Sequence, residues 1–521
     1  MSQKVFSKDA EPTNVEQIDI LSNIDKSKSA SIIGGFAGMT YTESIMSDTI
    51  KVNVSFIDSG DSLEDKSITE ALPLVGQEQV RLKFSDNNEN TLEVVLYVNK
   101  ITPNSDRTQE SMMSLDLVSK EFIMNEKKRV NQRFDGKVSD HIKKLLTDSK
   151  YLGTDKKVDI EQTQNLYNFF GNNKKPFYTV TWLCNKSVSE QNQTLGKSAG
   201  YFFYETSEGF FFKSADGLLG QEPKLKLIYN ETPDVNGNIP EGYDQKILNF
   251  KKDNDTNVQK KLQMGAFSTR TVLFDPFTCY YEVKAPNVSE KGVEDSLTLG
   301  GKDLYLGTKF RNKEFDKEGT NEEYSRTTYF LLDKGTAPSG DTDQQLSKSG
   351  EENFEYGQIA NQSVMRYNQM YSARASITIA GNFSLHAGDA IYIDSPGLKK
   401  EKTSEVDRKD GGLYIITDIC HQITSEGTYT QCNLARASFG RKPKTRESIM
   451  SDRSIQQHIN DDKDMLENGT LSPQMRRHVA DELDHLEQYQ ANHPDDDHDP
   501  TAFEMYCDEN PEADERRIYE D

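Results

Sequence analysis

Imidazoles and carboxylates crowd together most densely at His493-Pro494-Asp495-Asp496-Asp497-His498-Asp499. Both groups are metal ligands. Neighbouring carboxylates on a proline-containing coil rarely converge on one ion without a rigid frame, however, and no second ligand set at helical or hairpin spacing accompanies them. The stretch reads as a solvated acidic linker. Five of the eight histidines, His458, His478, His485, His493 and His498, lie in this terminal region, leaving His141, His386 and His421 far apart in the body. A nucleophilic triad needs a hydroxyl or thiol beside a base, and no G-x-S-x-G nucleophile elbow is present. The three body histidines therefore read as structural.

Two other patterns invite chemistry and do not carry it. Gly34-Gly35-Phe36-Ala37-Gly38 lacks the Gly-Lys-Ser/Thr of a phosphate loop and the G-x-G-x-x-G of a dinucleotide loop, so it reads as a turn or a close backbone approach. Tyr201-Phe202-Phe203-Tyr204, a short Glu205-Thr206-Ser207-Glu208-Gly209 turn and Phe210-Phe211-Phe212 form an aromatic hairpin signature. Such rings can stack on bases, but only Lys213 follows to hold a phosphate. Consecutive aromatics instead place rings on both faces of a strand, as in one sandwiched between layers or subunits. Acidic residues are abundant enough to pair anywhere, and abundance alone does not indicate glycoside cleavage. No catalytic residue, cofactor site or metal site is assigned.

The elements that would position these residues are mainly strands. Over residues 32–98 apolar and polar residues alternate, as in Ile50-Lys51-Val52-Asn53-Val54-Ser55-Phe56 and Val80-Arg81-Leu82-Lys83-Phe84. A period of two predicts an antiparallel sheet or barrel with one buried face, completed by 92–98 and 114–118. Val138, Ile142, Leu145 and Leu146 recur at helical spacing after the Phe134-Asp135-Gly136 turn. Residues 178–183 are too short a run to assign. Strands follow at 270–274 and 278–283, a loop-rich insertion at 286–349, a helix-like stretch at 359–371, and strands at 375–379, 390–393, 413–419 and 428–435.

Composition bounds the function. The chain has 521 residues, 34% hydrophobic and 28% charged, with net charge −23, which predicts several modest cores and extensive polar surface. That balance opposes nucleic-acid binding through phosphate neutralisation. No apolar run reaches the roughly 18 residues a membrane helix needs, and the first thirty residues have no secretory pattern. Cys184, Cys279, Cys420, Cys432 and Cys507 are odd in number and scattered, as expected of reduced thiols. Residues 451–521 hold 21 acidic and 6 basic side chains, so −15 of the net charge sits there. Within them Ser472-Pro473 is a helix start, and Met475, Val479, Leu483, Leu486 and Tyr489 form one apolar stripe. An exposed helix with such a stripe is expected to want a partner surface.

Several segments resemble, in order, the central baseplate hub family of contractile-tailed, T-even-like bacteriophages, related to the hub half of VgrG spike proteins in type VI secretion. They are Leu72-Pro73-Leu74-Val75-Gly76-Gln77-Glu78-Gln79-Val80-Arg81-Leu82; Leu115-Asp116-Leu117-Val118-Ser119-Lys120-Glu121; Arg129-Val130 with Phe134-Asp135-Gly136 and His141-Ile142; the aromatic hairpin through Gly217-Leu218-Leu219; and a final module. That module carries Gly381-Asn382, Gly388-Asp389, Gly412, Tyr414 and His421, closing at Tyr429 and Arg436. Its Gly-Asn and Gly-Asp turns read as architectural.

The resemblance covers residues 30–440 and implies a mainly β fold with α+β insertions. The expected layout is a polar N-terminal arm over 1–30, a tube-protein-like β-barrel over 31–118 and an α+β, helix-containing middle domain over 119–220. A second barrel spans 221–440 with the insertion near 286–349, and an acidic, partly helical extension covers 441–521. It further implies a structural virion protein, made late and assembled in the host cytoplasm: a homotrimer of pseudo-sixfold symmetry joining a tail tube or its initiator to a trimeric spike. Tape-measure and wedge proteins would be further neighbours, and DNA would pass without specific binding. The alternatives are the hub of a bacterial contractile injection system and a metal- or carboxylate-dependent envelope hydrolase. The insertion and the tail have no counterpart in the family core.

Overall fold

The structure is a computed structural model. It describes residues 10–60 except Lys26, 66–106, 110–190, 199–229, 243–252, 269–275, 279–284, 326–331, 373–395, 411–436 and 473–493, with isolated residues at 259–264, 359–371 and 455–466. Met1–Arg441 form one compact unit and Lys442–Asp521 a second.

The first unit begins with β1 (Asn14–Leu21), β2 (Ser29–Ser31), β3 (Phe36–Ser44), β4 (Lys51–Asp58), the short helix α1 (Ile68–Ala71), β5 (Gln79–Ser85), β6 (Thr91–Asp106) and β7 (Ser111–Val118). They lie side by side as β3-β4-β7-β6-β5-β1-β2, every neighbouring pair antiparallel. The period of two is obeyed: Val52, Val54 and Phe56, then Val80, Leu82 and Phe84, then Leu115 and Leu117 all enter one core. β1 corrects the expected polar arm over residues 1–30, because it pairs along β5 and buries Ile18 and Ile20. Its alternation spans few residues inside a charged stretch, and the long pairing with β5 supplies what local composition does not.

The middle of the chain contains α2 (Lys120–Lys127), β8 (Arg133–Phe134), α3 (Val138–Thr147), β9 (Val158–Ile160), β10 (Phe169–Phe170), α4 (Pro176–Cys184), β11 (Tyr201–Thr206), β12 (Gly209–Ser214) and α5 (Ala215–Leu219). Helix α3 buries Val138, Ile142, Leu145 and Leu146, the stripe its spacing predicts. Residues 178–183 lie in α4, which starts on Pro176 and buries Phe177, Val180, Leu183 and Cys184. β-branched and aromatic residues dominate it, so helical spacing of its buried side chains, and not propensity, decides its form. The hairpin β11–β12 is a shared wall. Tyr201, Phe203, Phe210 and Phe212 enter the middle core, while Phe202 and Tyr204 enter the next one.

That next core belongs to β13 (Leu225–Ile228), β14 (Gln245–Lys252), β18 (Ala373–Ala380), β19 (Ala390–Asp394), β20 (Gly412–Thr424) and β21 (Thr428–Arg436), with β15 (Thr269–Asp275), β16 (Tyr280–Lys284) and β17 (Arg326–Leu331) forming a separate three-stranded sheet. The order β19-β13-β14-β18-β21-β20 closes on itself through β19–β20 pairing, giving a barrel. Within the expected insertion at 286–349, residues 326–331 form β17, parallel to β15; the rest lies outside the described residues. β20 also pairs with β3, from Asp418 opposite Ser44 to Thr424 opposite Gly38, so both β modules share one 13-stranded sheet.

In the second unit, α6 (Pro473–Asn492) buries Val479, Leu486 and Tyr489. Leu486, Tyr489 and Leu483 pack with Ile455 and Ile459 of the same unit. Residues too separated for a sequence pattern thus cover the Leu483, Leu486 and Tyr489 part of the stripe from within the unit. The side chain of Met475 lies outside the described residues.

Leu115→Ala, emptying a fully buried site, is expected to destabilise the first unit by about 2–5 kcal/mol. Val95→Ala, at a position 42% exposed, should cost no more than about 0.5 kcal/mol. Urea midpoints of the two variants test the difference.

Candidate functional site at the seam between the β modules

Strand β3 alternates Met39, Tyr41 and Glu43 on its buried side, so the same pleat that buries the apolar side chains also buries a carboxylate. A buried carboxylate is tolerable only when donors replace its water. Glu43 finds them in all three parts of the unit. Within β3, Tyr41 Oη donates to Oε1 at 2.6 Å. From the hairpin turn, the Ser207 N–H donates to Oε1 at 2.9 Å. From the loop before β19, the Ala387 N–H donates to Oε2 at 3.0 Å and His386 Nδ1 lies 3.3 Å from Oε1.

The charges in this knot adjust to one another. Burial alone would raise the Glu43 carboxyl, but the charge and hydrogen bond of His386, with the Tyr41 hydroxyl and the Ala387 N–H, bring it below its usual range. Burial likewise opposes protonation of His386, yet Glu43 outweighs it and raises that imidazole above its ordinary value. The His386 backbone N–H donates to Asp389 Oδ2 at 2.8 Å, and Lys224 Nζ is 3.0 Å from the same oxygen. Burial raises Asp389, with Lys224 and His386 pulling the other way.

His421 lies on β20 where it crosses β3, opposite Tyr41. It is fully buried, its Nδ1 is 2.9 Å from Thr430 Oγ1, and its ring sits between Tyr41 and Phe383 at centroid distances of 5.7 and 5.1 Å. Nε2 has no hydrogen-bond partner among the described residues. Burial pushes its pKa down to about 4, against the attraction of Glu43.

Ser207 Oγ is 3.5 Å from His386 Nδ1, which invites comparison with a nucleophilic relay. A relay places acid and hydroxyl on opposite ring nitrogens. Here both face Nδ1, while Nε2 points toward Glu208 at 3.7 Å. Glu43 competes with Ser207 for Nδ1, and Glu208 on the opposite nitrogen is beyond hydrogen-bond reach, so the arrangement as it stands clamps three segments together. A second buried ion cluster stands nearby. Lys156 Nζ lies 2.5 Å from Glu205 and 3.1 Å from Glu121, and the Ile50 N–H donates to Glu205 at 3.2 Å.

The seven residues singled out in the last module gather on the second barrel. Gly381 and Asn382 form the turn after β18, where the Asn382 N–H donates to Thr430 Oγ1 at 3.0 Å and Nδ2 donates to Gln245 Oε1 at 3.1 Å. Gly388 has φ +92, and a Cβ there would collide with the Tyr204 phenol, so both conformation and space call for glycine. Asp389 belongs to the knot, and Gly412 opens β20. Tyr414 is buried, with the Arg436 guanidinium 4.6 Å from its ring centroid. Only Asp389 and His421 join the Glu43 cluster. At the first glycine run, Gly35 approaches the Ile57 carbonyl too closely for any Cβ.

His141 sits apart, buried against Phe134 and Phe169, with Nε2 2.9 Å from the Tyr167 carbonyl. The His493 ring lies 4.4 Å from that of Tyr489, tilted by 32°, and residues 494–499 lie outside the described residues. Among the described residues no group of three or more His, Cys, Asp or Glu side chains is placed to hold a metal ion, and no helix is long and apolar enough to cross a membrane.

A family model for the CP12 domain matches residues 452–520. No curated protein matches the chain in sequence. Among solved structures it is similar to the 43 kDa tail protein of prophage MuSo2 from Shewanella oneidensis, at 11% identity and TM-score 0.43 over 81% of this chain and 98% of that one. A tail protein from Neisseria meningitidis MC58 is similar at 9% identity and TM-score 0.43, over 81% and 96% of the two chains. A component of the type VI secretion system from E. coli is similar at 10% identity and TM-score 0.36, over 78% and 76%.

Glu43→Ala strands the Ser207 and Ala387 N–H groups and is expected to cost about 3–5 kcal/mol. Glu208→Gln, with its side chain 51% exposed, should stay within about 0.5 kcal/mol. Equilibrium unfolding in urea distinguishes them.

Proposed function

We propose that this chain is the structural hub of a phage tail baseplate, a non-enzymatic ring protein between a tail tube and a spike. The observation that carries the reading is the joining of two β modules into one sheet through β3 and β20. A chain with two such modules can offer two similar faces, so three chains would offer six. A threefold spike could then meet a sixfold tube without strained contacts. The ordered motif segments, which lie on both modules and on the hairpin wall between them, support the same reading.

The seam residues serve this role as architecture. Gly381, Asn382, Gly388, Asp389, Gly412, Tyr414 and His421 shape the turns and strands of the second barrel, and Glu43 ties it to the first. Relative orientation of the two modules matters to a ring, because an error at the seam is repeated in every chain. Buried, directional hydrogen bonds fix orientation more sharply than apolar contact alone.

In this reading DNA passes through the ring without specific binding.

Native mass measurement of the full chain, alone and with a co-expressed trimeric spike protein, tests the proposal. A species of three chains, or a three-plus-three complex, is expected, and removing residues 451–521 should leave the trimer intact. A chain that stays monomeric at every concentration and with every tail protein would overturn it.

A further inference from the structure

The seam places a neutral, fully buried imidazole, His421, beside a carboxylate already engaged by a second imidazole, His386. We propose that this knot is an acid-sensitive clasp: mild acid loosens the β3–β20 seam while each β module keeps its own core. The inference does not depend on the hub reading.

Geometry makes the loosening local. β3 keeps its pairing with β4, and β20 keeps its pairings with β19 and β21, when β3 and β20 part. Phe383 and Ile423 of the second barrel insert into the core of the first. The Phe383 contact, outside the paired strands, is indifferent to pH and holds the modules near one another, and the Phe383 N–H donates to Asp86 Oδ2 at 2.9 Å. His421 has no donor or acceptor at Nε2 among the described residues and so nothing in place to receive a proton's charge. Around the knot stand Tyr41 and Glu43 from β3, Tyr204 and Glu205 from β11, and Glu208 from the hairpin turn. His386 and Asp389 come from the loop before β19, and Lys224 from the segment before β13.

The sign follows from which group changes its protonation on opening. His421 is held down to about 4 when buried, against an ordinary 6.5. Between those values the opened seam binds a proton that the closed one refuses, so closure weakens as pH falls. His386 has its value raised and is charged in both states below 6.5; its contribution is complete there and is lost as pH rises through its folded value. Glu43 is lowered, so its contribution is lost only as pH falls below the ordinary 4.5 through its folded value. Asp389 keeps His386 N–H and Lys224, both on its own side of the seam, whether or not β3 departs. The tyrosines titrate far above this window, and Glu205 stays with Lys156. From pH 6.5 toward 4.5, His421 sets the slope.

Hydrogen exchange of the full chain, read by mass spectrometry and corrected for the chemical exchange rate, tests this. Of the amides of residues 38–44 and 418–424, those that point across the seam are expected to open up to about tenfold more per pH unit across the window, while those of β5 and β6 hold. His421→Gln should flatten that slope. Seam and barrel amides losing protection together, a seam in the unaltered chain that is flat with pH, or an unchanged slope in His421→Gln would each overturn the clasp.

Discussion

A carboxylate on the inward face of a β-strand must be satisfied by donors or the strand cannot keep its register. Glu43 is held by its own strand, by the aromatic hairpin turn and by the loop before β19. No one of the three could satisfy it alone. The apolar cores make each part compact, but hydrophobic burial is non-directional. Directional bonds to one buried group fix how the parts meet.

The hairpin shows the same economy in apolar chemistry. Two strands carrying aromatics at consecutive positions cannot hide both faces in one core. Here one face fills the middle core and the other fills the second barrel. Tyr201 stacks on Phe212 at 4.5 Å on one side, and Tyr204 on Phe211 at 5.4 Å on the other. The hairpin as a whole therefore serves two modules, and its turn carries Ser207 to the Glu43 knot.

Closure of the second barrel through β19–β20 removes edges that would otherwise template unwanted pairing. The pairing of β20 with β3 does the same for the first module, whose edge strand becomes an interior one. The two modules thus protect each other. A buried histidine with an unused nitrogen sits in that shared seam, where a small electrostatic change acts on the pairing itself.

Local pattern alone determined the strands with strict alternation, such as β4 and β5, the helix α3 and the two-faced hairpin, because burial on one face leaves a periodic trace. It also determined the start of α6 and the turns at Gly381-Asn382 and Gly388-Asp389. Tertiary structure decided β1, whose polar neighbours mask two core isoleucines, and α4, whose residues favour strand until packing imposes helical spacing. It also decided what covers the α6 stripe. The site was half legible: His386, Asp389 and His421 stand out, whereas Glu43 reads as one acidic residue among many. The alternation of Met39, Tyr41 and Glu43 was its signal, but only the long-range pairing of β3 with β20 determines that donors from Ser207 and Ala387 arrive there. Local periodicity reports which face a residue occupies, and contacts between segments hundreds of residues apart leave no trace in it.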